Sequence, residues 1–337
     1  MPTTRKTRRI TIDDVARATG VSRQTVSRAI NNKTEIDPET RQRILEAARL
    51  MGYRPSRFAR GLVRQDVTTL GLVIADVLNP FFPEVTAGVL KAAERREWQV
   101  VVYNTGSQRR KELAVVDMIA EQVDVCVAFL LHAEAINRAV DMSMPIVLLD
   151  KDGMNPSVPG VRIDFDAGVR EGLGHLIDRG HRRIAMLDDE ARISAAAPNP
   201  RREVYLELAS RHGLPVDESW IEPAANSVAG GAAAMERLLE VHPDVTAVFA
   251  YNDLIAIGAQ RTAVRRGLRV PDDCAFLGCD GLSLSELVEP PLTTLHIDKP
   301  RLGELAVEQA AQLVAGAEPH EVPDSVVRPE LLLRGST

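Results

Sequence analysis

From "TTLGLVIADV" onward, short β-rich runs alternate with helical stretches to the end of the chain. The runs are "QVVVYNT", "VDVCVAFLL", "PIVLLD", "GVRIDF", "RRIAMLD", "VTAVFAYND", "CAFLGCDG" and "TTLHID". Between them lie "EVTAGVLKAAERREW", "KELAVVDMIAEQ", "AGVREGLGHLIDRG", "GAAAMERLLEVH" and "DLIAIGAQRTAVRRG". Strands that read as continuous apolar runs are buried on both faces, which requires parallel sheet with crossover helices. The alternation is too long for one sheet and breaks near residue 164, so two doubly wound subdomains are expected. Ligands of such sheets bind beyond the C-terminal strand ends, and a cleft between two facing subdomains collects those ends.

The first 64 residues do not follow this pattern. They carry fifteen Lys/Arg against six Asp/Glu, net +9, and leave twenty-six against forty-one, net −15, to the rest. A basic head suits a polyanion, and the acidic body does not. In "TIDDVARATG", Thr11 and Asp14 resemble a capping box, and Ile12, Val15, Ala16 and Ala18 form one apolar side of a short helix. Gly20 can take the left-handed conformation that ends a helix, and Ser22 can cap the next one. A third helix starts at Asp37-Pro38 and carries Ile44, Leu45, Ala48 and Leu50 inward. If Val21, Val26 and Ile30 face that core, the second helix presents Arg23, Gln24, Ser27 and Arg28, a face that fits the DNA major groove. Gln pairs with adenine and Arg with guanine, while Ser22, Ser27 and Asn31 suit phosphate oxygens.

In the body, groups at strand ends are the candidate ligand contacts: Asp150 after "PIVLL", Asn252 and Asp253 in "AYND", and Asp280 in "LGCD". Asp253 reads better as a helix cap than as a ligand contact. Phe81 and Phe82 in "NPFFPE" offer an aromatic surface to an apolar ring face. No dinucleotide, P-loop, nucleophile-elbow or zinc-protease motif is present in the sequence. His175 and His181 flank a helix end and do not form a ligand set. Cys126, Cys274 and Cys279 lack metal spacing and read as buried small hydrophobes. No enzyme, metal or cofactor is expected. The absence of a spanning apolar run or a signal-like core points to the cytoplasm, with no membrane partner.

"TIDDVARATGVSRQTVSRAINN" and "TRQRILEAARLMGYRPSRFARGL" resemble the DNA-binding head of the LacI/GalR family of bacterial transcription regulators. "NPFFPEV", "HLIDRGHRRIAML", "AYNDLIAIGAQRTAVRRGLRVPDD" and "PPLTTLHID" resemble its periplasmic-binding-protein-like core. The resemblance implies a helix-turn-helix domain over 1–55, a hinge helix and linker over 56–66, and an effector-binding and dimerisation core over 67–337. Within the core it implies one subdomain at 67–163 plus 294–322 and the other at 164–293 plus 323–337. Arg23, Gln24 and Arg28 fall on base-reading positions, Tyr53 and Arg57 on backbone-contacting or supporting ones, and Leu62 on a minor-groove wedge. Thr11, Ser22, Thr25, Ser27, Asn31 and Ala59 complete the expected DNA-facing set. The effector cleft is expected to use Phe81, Phe82, Asp150, Arg201, Asn226, Asn252 and Asp280. Arg202 and Arg192 remain alternatives to Arg201, because "DDEARISAAAPNP" departs from the family's pattern. Asn226 stands where many members carry an aromatic residue, and Ile297 where some carry a polar one. The implied function is a ligand-responsive, sequence-specific regulator. The expectation is a repressor of sugar or sugar-derivative metabolism, a homodimer on a near-palindromic double-stranded operator, with a small polar effector. The competing reading is a solute-binding protein of the same core fold, without a gene-regulatory role.

Overall fold

The computed structural model describes residues 12–30, 36–51, 67–151, 155–215 and 217–337. The chain divides into two compact units, Met1–Thr68 and Thr69–Thr337.

In the first unit, helices α1 (Ile12–Thr19), α2 (Arg23–Ile30) and α3 (Pro38–Leu50) enclose a small core of Val15, Ala16, Val26, Ala29, Ile44 and Ala48. Gly20 has φ +71°, the left-handed conformation that ends α1. Ser22 Oγ then accepts from Thr25 N at 3.1 Å, which caps α2. Asp37 Oδ2 accepts from Thr40 N at 2.9 Å and caps α3 in the same way, and this bond lowers the Asp37 pKa. Three of the expected apolar contacts are not made: Ala18 is exposed, as are Leu45 and Leu50. Helices this short bury one narrow stripe each, and these residues fall outside it.

The second unit holds two six-stranded sheets. The first contains β1 (Thr69–Ile74), β2 (Gln99–Asn104), β3 (Val125–Ala128), β4 (Ile146–Leu149), β5 (Gly160–Ile163) and β11 (Ser325–Val327). Its order is β11-β5-β4-β3-β1-β2, all parallel. The second contains β6 (Ile184–Asp189), β7 (Ile221–Ala224), β8 (Ala247–Ala250), β9 (Ala275–Asp280), β10 (Thr293–His296) and β12 (Glu330–Leu332). Its order is β12-β10-β9-β8-β6-β7, parallel except for the β10–β12 pair. Leaving out β11 and β12, both lobes repeat one doubly wound order, and each reverses direction beside its first strand. Central strands such as "VCVA", "IVLL" and "AVFA" are buried along their whole length.

Two of the expected subdomain boundaries move. Thr293–His296 belongs to the second sheet, because it runs parallel to β9 in the register Thr293↔Leu277 to His296↔Asp280. Ser325–Val327 belongs to the first, beside β5. Residues 325–332 are therefore split between the two sheets. Pro329 lacks an N–H for a ladder, and the chain changes sheets there. The lobes are joined at Asp164, at Ile297–Asp298 and at Arg328–Pro329. Asp164 caps the Phe165–Asp178 helix, and Asp298 caps the Lys299–Val314 helix. Among the described residues, no helix is long and apolar enough to cross a membrane.

Candidate nucleic-acid interface and ligand cleft

On α2 the apolar and polar faces separate cleanly. Val26 and Ala29 are buried, Val21 packs against the same core, and Ser22, Arg23, Gln24 and Arg28 are exposed, with Thr25 partly so. Ser22 serves as the cap, which fixes the start of the helix and with it the direction of Arg23 and Gln24. Thr11, Asn31, Tyr53, Arg57, Ala59 and Leu62 lie outside the described residues, as does the Ser27 side chain.

In the body, a cavity of about 250 Å³ opens where the C-terminal strand ends of both lobes meet. The first lobe contributes Phe81, Phe82 and Asp150. Phe81 and Phe82 begin the helix after β1 and are nearly buried, and Phe82 meets Phe129 edge-on at 5.2 Å. Asp150 follows β4 at φ +53°, a conformation that costs a non-glycine residue free energy and sets where its carboxylate points.

The second lobe contributes Arg192, Arg201, Tyr251, Asn252 and Asp280. Arg201 is only 4% exposed and lies between two rings, its guanidinium carbon 3.6 Å from the Phe165 centroid and 4.0 Å from that of Tyr251. Among the described residues its Nε and Nη1 have no hydrogen-bond partner, and neither does Asp150 Oδ1. Buried donors and acceptors left unmatched are costly, so both groups are suited to a ligand. Asn252 Oδ1 caps the Asp253–Arg265 helix by accepting from Ile255 N at 3.1 Å, and its Nδ2 donates to Asn226 Oδ1 at 2.6 Å. Asp280 ends β9 at φ +124°; burial, and then the Asp253 charge, push its pKa well above 3.8.

The chain matches the model of bacterial regulatory proteins, lacI family, over residues 11–56. It also matches that of the periplasmic binding protein-like domain over residues 173–337. It is 34% identical to the HTH-type transcriptional regulator GalS of Salmonella typhimurium over 315 residues, 91% of each chain. To catabolite control protein A of Priestia megaterium it is 33% identical over 291 residues, 85% of this chain and 87% of the other. The chain belongs to the lacI family of bacterial regulatory proteins. It is accordingly a ligand-responsive DNA-binding transcriptional regulator, not an enzyme. Solved structures of similar fold include the lac repressor dimer bound to operator and the anti-inducer ONPF, with TM-score 0.72 and 26% identity. That match covers 98% of this chain and 99% of the other. Another is the transcriptional regulator CelR in complex with cellobiose, with TM-score 0.70 and 29% identity, covering 98% and 100%.

Within this lacI-family chain the cavity brings together Phe81, Phe82, Asp150, Arg201, Asn226, Asn252 and Asp280. Of the three arginines left open by sequence, both Arg192 and Arg201 line the cavity. Arg202 does not, and its Nη1 lies 3.8 Å from Asp188 instead. Ile297 is buried and is not part of the wall. Asp253 is neither cap nor ligand contact. It is fully buried and accepts from Leu282 N at 2.7 Å, Ser285 Oγ at 2.6 Å and Thr294 Oγ1 at 2.5 Å. Phe129, Tyr251 and Asp189 line the cavity without having been picked from sequence. Each lies at or directly after a strand end, the signal that pointed to Asp150 and Asn252. His175 and His181 are not among the lining residues, and the His175 ring meets Thr337 Oγ1 at 3.0 Å. All three cysteines are buried and unpaired, and burial pushes their thiols up to about 12.

Proposed function

We propose that the chain acts as a homodimeric repressor on a near-palindromic operator and that its effector is a neutral sugar or sugar derivative. The observation that carries the effector reading is the pairing of unsatisfied groups in one cavity: Asp150 Oδ1 as acceptor, Arg201 Nε and Nη1 as donors. A hydroxyl both donates and accepts, so neighbouring hydroxyls of one ring satisfy a carboxylate and a guanidinium together. Phe81 and Phe82 supply an apolar wall for the ring face. Asp76, Asp150, Asp189, Glu190 and Asp280 line the cavity against Arg192 and Arg201, a balance that disfavours an anionic ligand. At about 250 Å³ the cavity lies just below the roughly 300–1,000 Å³ usual for ligand pockets, which suits a small ring. The cellobiose complex of CelR and the lactose complex of an Arthrobacter lacI-family regulator, at TM-scores of 0.70 and 0.71, support the same class.

On DNA, Arg23, Gln24 and Arg28 read bases, while Ser22, Thr25, Ser27 and Asn31, with Thr11, Tyr53, Arg57 and Ala59, hold the backbone. Leu62, in the 56–66 segment, acts as the minor-groove wedge. Effector binding changes the angle between lobes and thereby the spacing of the hinge segments. The first test is selection of genomic fragments bound by the full-length protein, followed by calorimetry with the sugars implied by the neighbouring genes. A shared near-palindrome beside sugar-uptake or catabolic genes, and tighter or weaker sugar binding when operator is present, is expected. Operator-independent sugar affinity would exclude the regulatory role, because linkage requires the coupling to be reciprocal.

A further inference from the structure

Asp150 also has a partner across the cleft. Its Oδ2 accepts from Arg192 Nη2 at 2.7 Å, and both side chains are 4% exposed. The two residues belong to different lobes: Asp150 follows β4 of the first sheet, and Arg192 lies on the Glu190–Ala195 helix after β6 of the second. On the second-lobe side the guanidinium is held firmly, with Nε donating to Tyr251 Oη at 2.7 Å and Nη1 to Pro198 O at 2.5 Å. On the first-lobe side the left-handed backbone of Asp150 aims its carboxylate. We propose that the Asp150–Arg192 pair is a latch that holds the two lobes together until a ligand displaces it, with Arg192 the positioning residue for Asp150.

The latch lies on the cavity wall and is not part of the three crossovers that connect the lobes. A low-dielectric site strengthens the attraction between these charges, and separating the lobes would expose both of them singly. The pair also leaves Asp150 with one oxygen for a ligand. A ligand hydroxyl that takes Oδ2 as well replaces Arg192 and frees the lobes to change their angle. The helix that carries Arg192 belongs to "DDEARISAAAPNP", so the latch is a property of this chain's own loop.

The test needs no ligand, so its failure would leave the sugar reading standing. Dyes on Glu94→Cys in the first lobe and Ser210→Cys in the second, in subunits diluted into unlabelled full-length protein, report the lobe distance by energy transfer. Arg192→Met and Asp150→Asn are each expected to shift transfer from that of the parent. The double variant should shift it no further than the larger single change, because the Asp150–Arg192 contact is absent from all three. Asp150→Asn nearly preserves volume and carries the test if Arg192→Met does not fold. Arg192→Lys should restore part of the parent signal. Unchanged transfer in Asp150→Asn, or shifts that add in the double variant, would overturn the latch.

Discussion

Replacement of Asp253 separates a scaffold role from a capping role with one side chain. Asn and Asp are equally good helix caps, so if Asp253 only capped its helix, Asp253→Asn would be nearly neutral. The cap position is held by Asn252, however, and the Asp253 carboxylate accepts three hydrogen bonds from Leu282, Ser285 and Thr294. An amide keeps one acceptor oxygen and turns a donor towards a donor on the other side. The less costly orientation sacrifices the Thr294 bond, since a hydroxyl can rotate. Burial pushes the Asp253 pKa up even against these three bonds, so removing a buried charge returns part of the loss. On balance Asp253→Asn should destabilise by about 1–2 kcal/mol and Asp253→Ala, which strands all three donors, by about 3 kcal/mol. Thr294 Oγ1 also accepts from Gly281 N at 3.2 Å, which links Asp253 to the residue after Asp280. Effector affinity should therefore fall in both variants, although Asp253 is not a cavity-lining residue. Urea unfolding with the m-value held constant measures the first effect and calorimetry the second. A stable Asp253→Asn variant, with unfolding midpoint equal to or above that of the parent, would refute the reasoning.

Asp280 binds its proton more tightly in the folded chain than in the unfolded one, since burial and Asp253 raise its pKa. Its contribution to stability is full below about 3.8 and is lost as pH rises through the folded-state value. Asp280→Asn should remove that decline, seen as a flatter difference in melting temperature against pH. Arg28→Ala should weaken operator binding by about 1–3 kcal/mol while leaving non-specific binding less changed, measured by titration at several salt concentrations. A Cβ at Gly258 would overlap Val228 O and press on Ala232 N, where two helices cross. Because backbone cannot move aside cheaply, Gly258→Ala should destabilise the second unit by about 1–3 kcal/mol in urea.

The winding was legible because parallel strands covered on both faces must be apolar throughout, as Ile146–Leu149 and Ala247–Ala250 are. Strand β7 was not. It is an edge strand with Glu222 and Pro223 in four residues, and edge strands tolerate both. Asn199 and Asp298 cap helices that were not picked out from sequence, although each is followed by the proline of a helix start. The strand-end rule located Asp150, Asn252 and Asp280, since the fold itself delivers such residues to the cleft. Choosing among Arg192, Arg201 and Arg202 required knowing which face of each helix meets the other lobe. That information lies in tertiary geometry and not in local pattern.

The same geometry explains how one cleft can both hold a ligand and move. Lys299, fully buried at the second crossover, begins a first-lobe helix. Its ammonium donates into the second lobe, to Asp280 O at 2.6 Å, Gly281 O at 3.1 Å and Ile297 O at 3.2 Å. Glu84 of the first lobe lies 3.3 Å from it. A buried ammonium with several acceptors is expensive to strip of its partners, so this crossover is a fixed pivot. The Asp150–Arg192 contact, by contrast, lies within the cavity itself, open to replacement by ligand hydroxyls. A ligand at Asp280 thus touches the pivot, and a ligand at Asp150 touches the latch. Because the pivot stays fixed, only a molecule that takes Asp150 from Arg192 can change the lobe angle. Ligands that satisfy Arg201 and Asp280 but fall short of Asp150 should therefore bind without altering operator affinity.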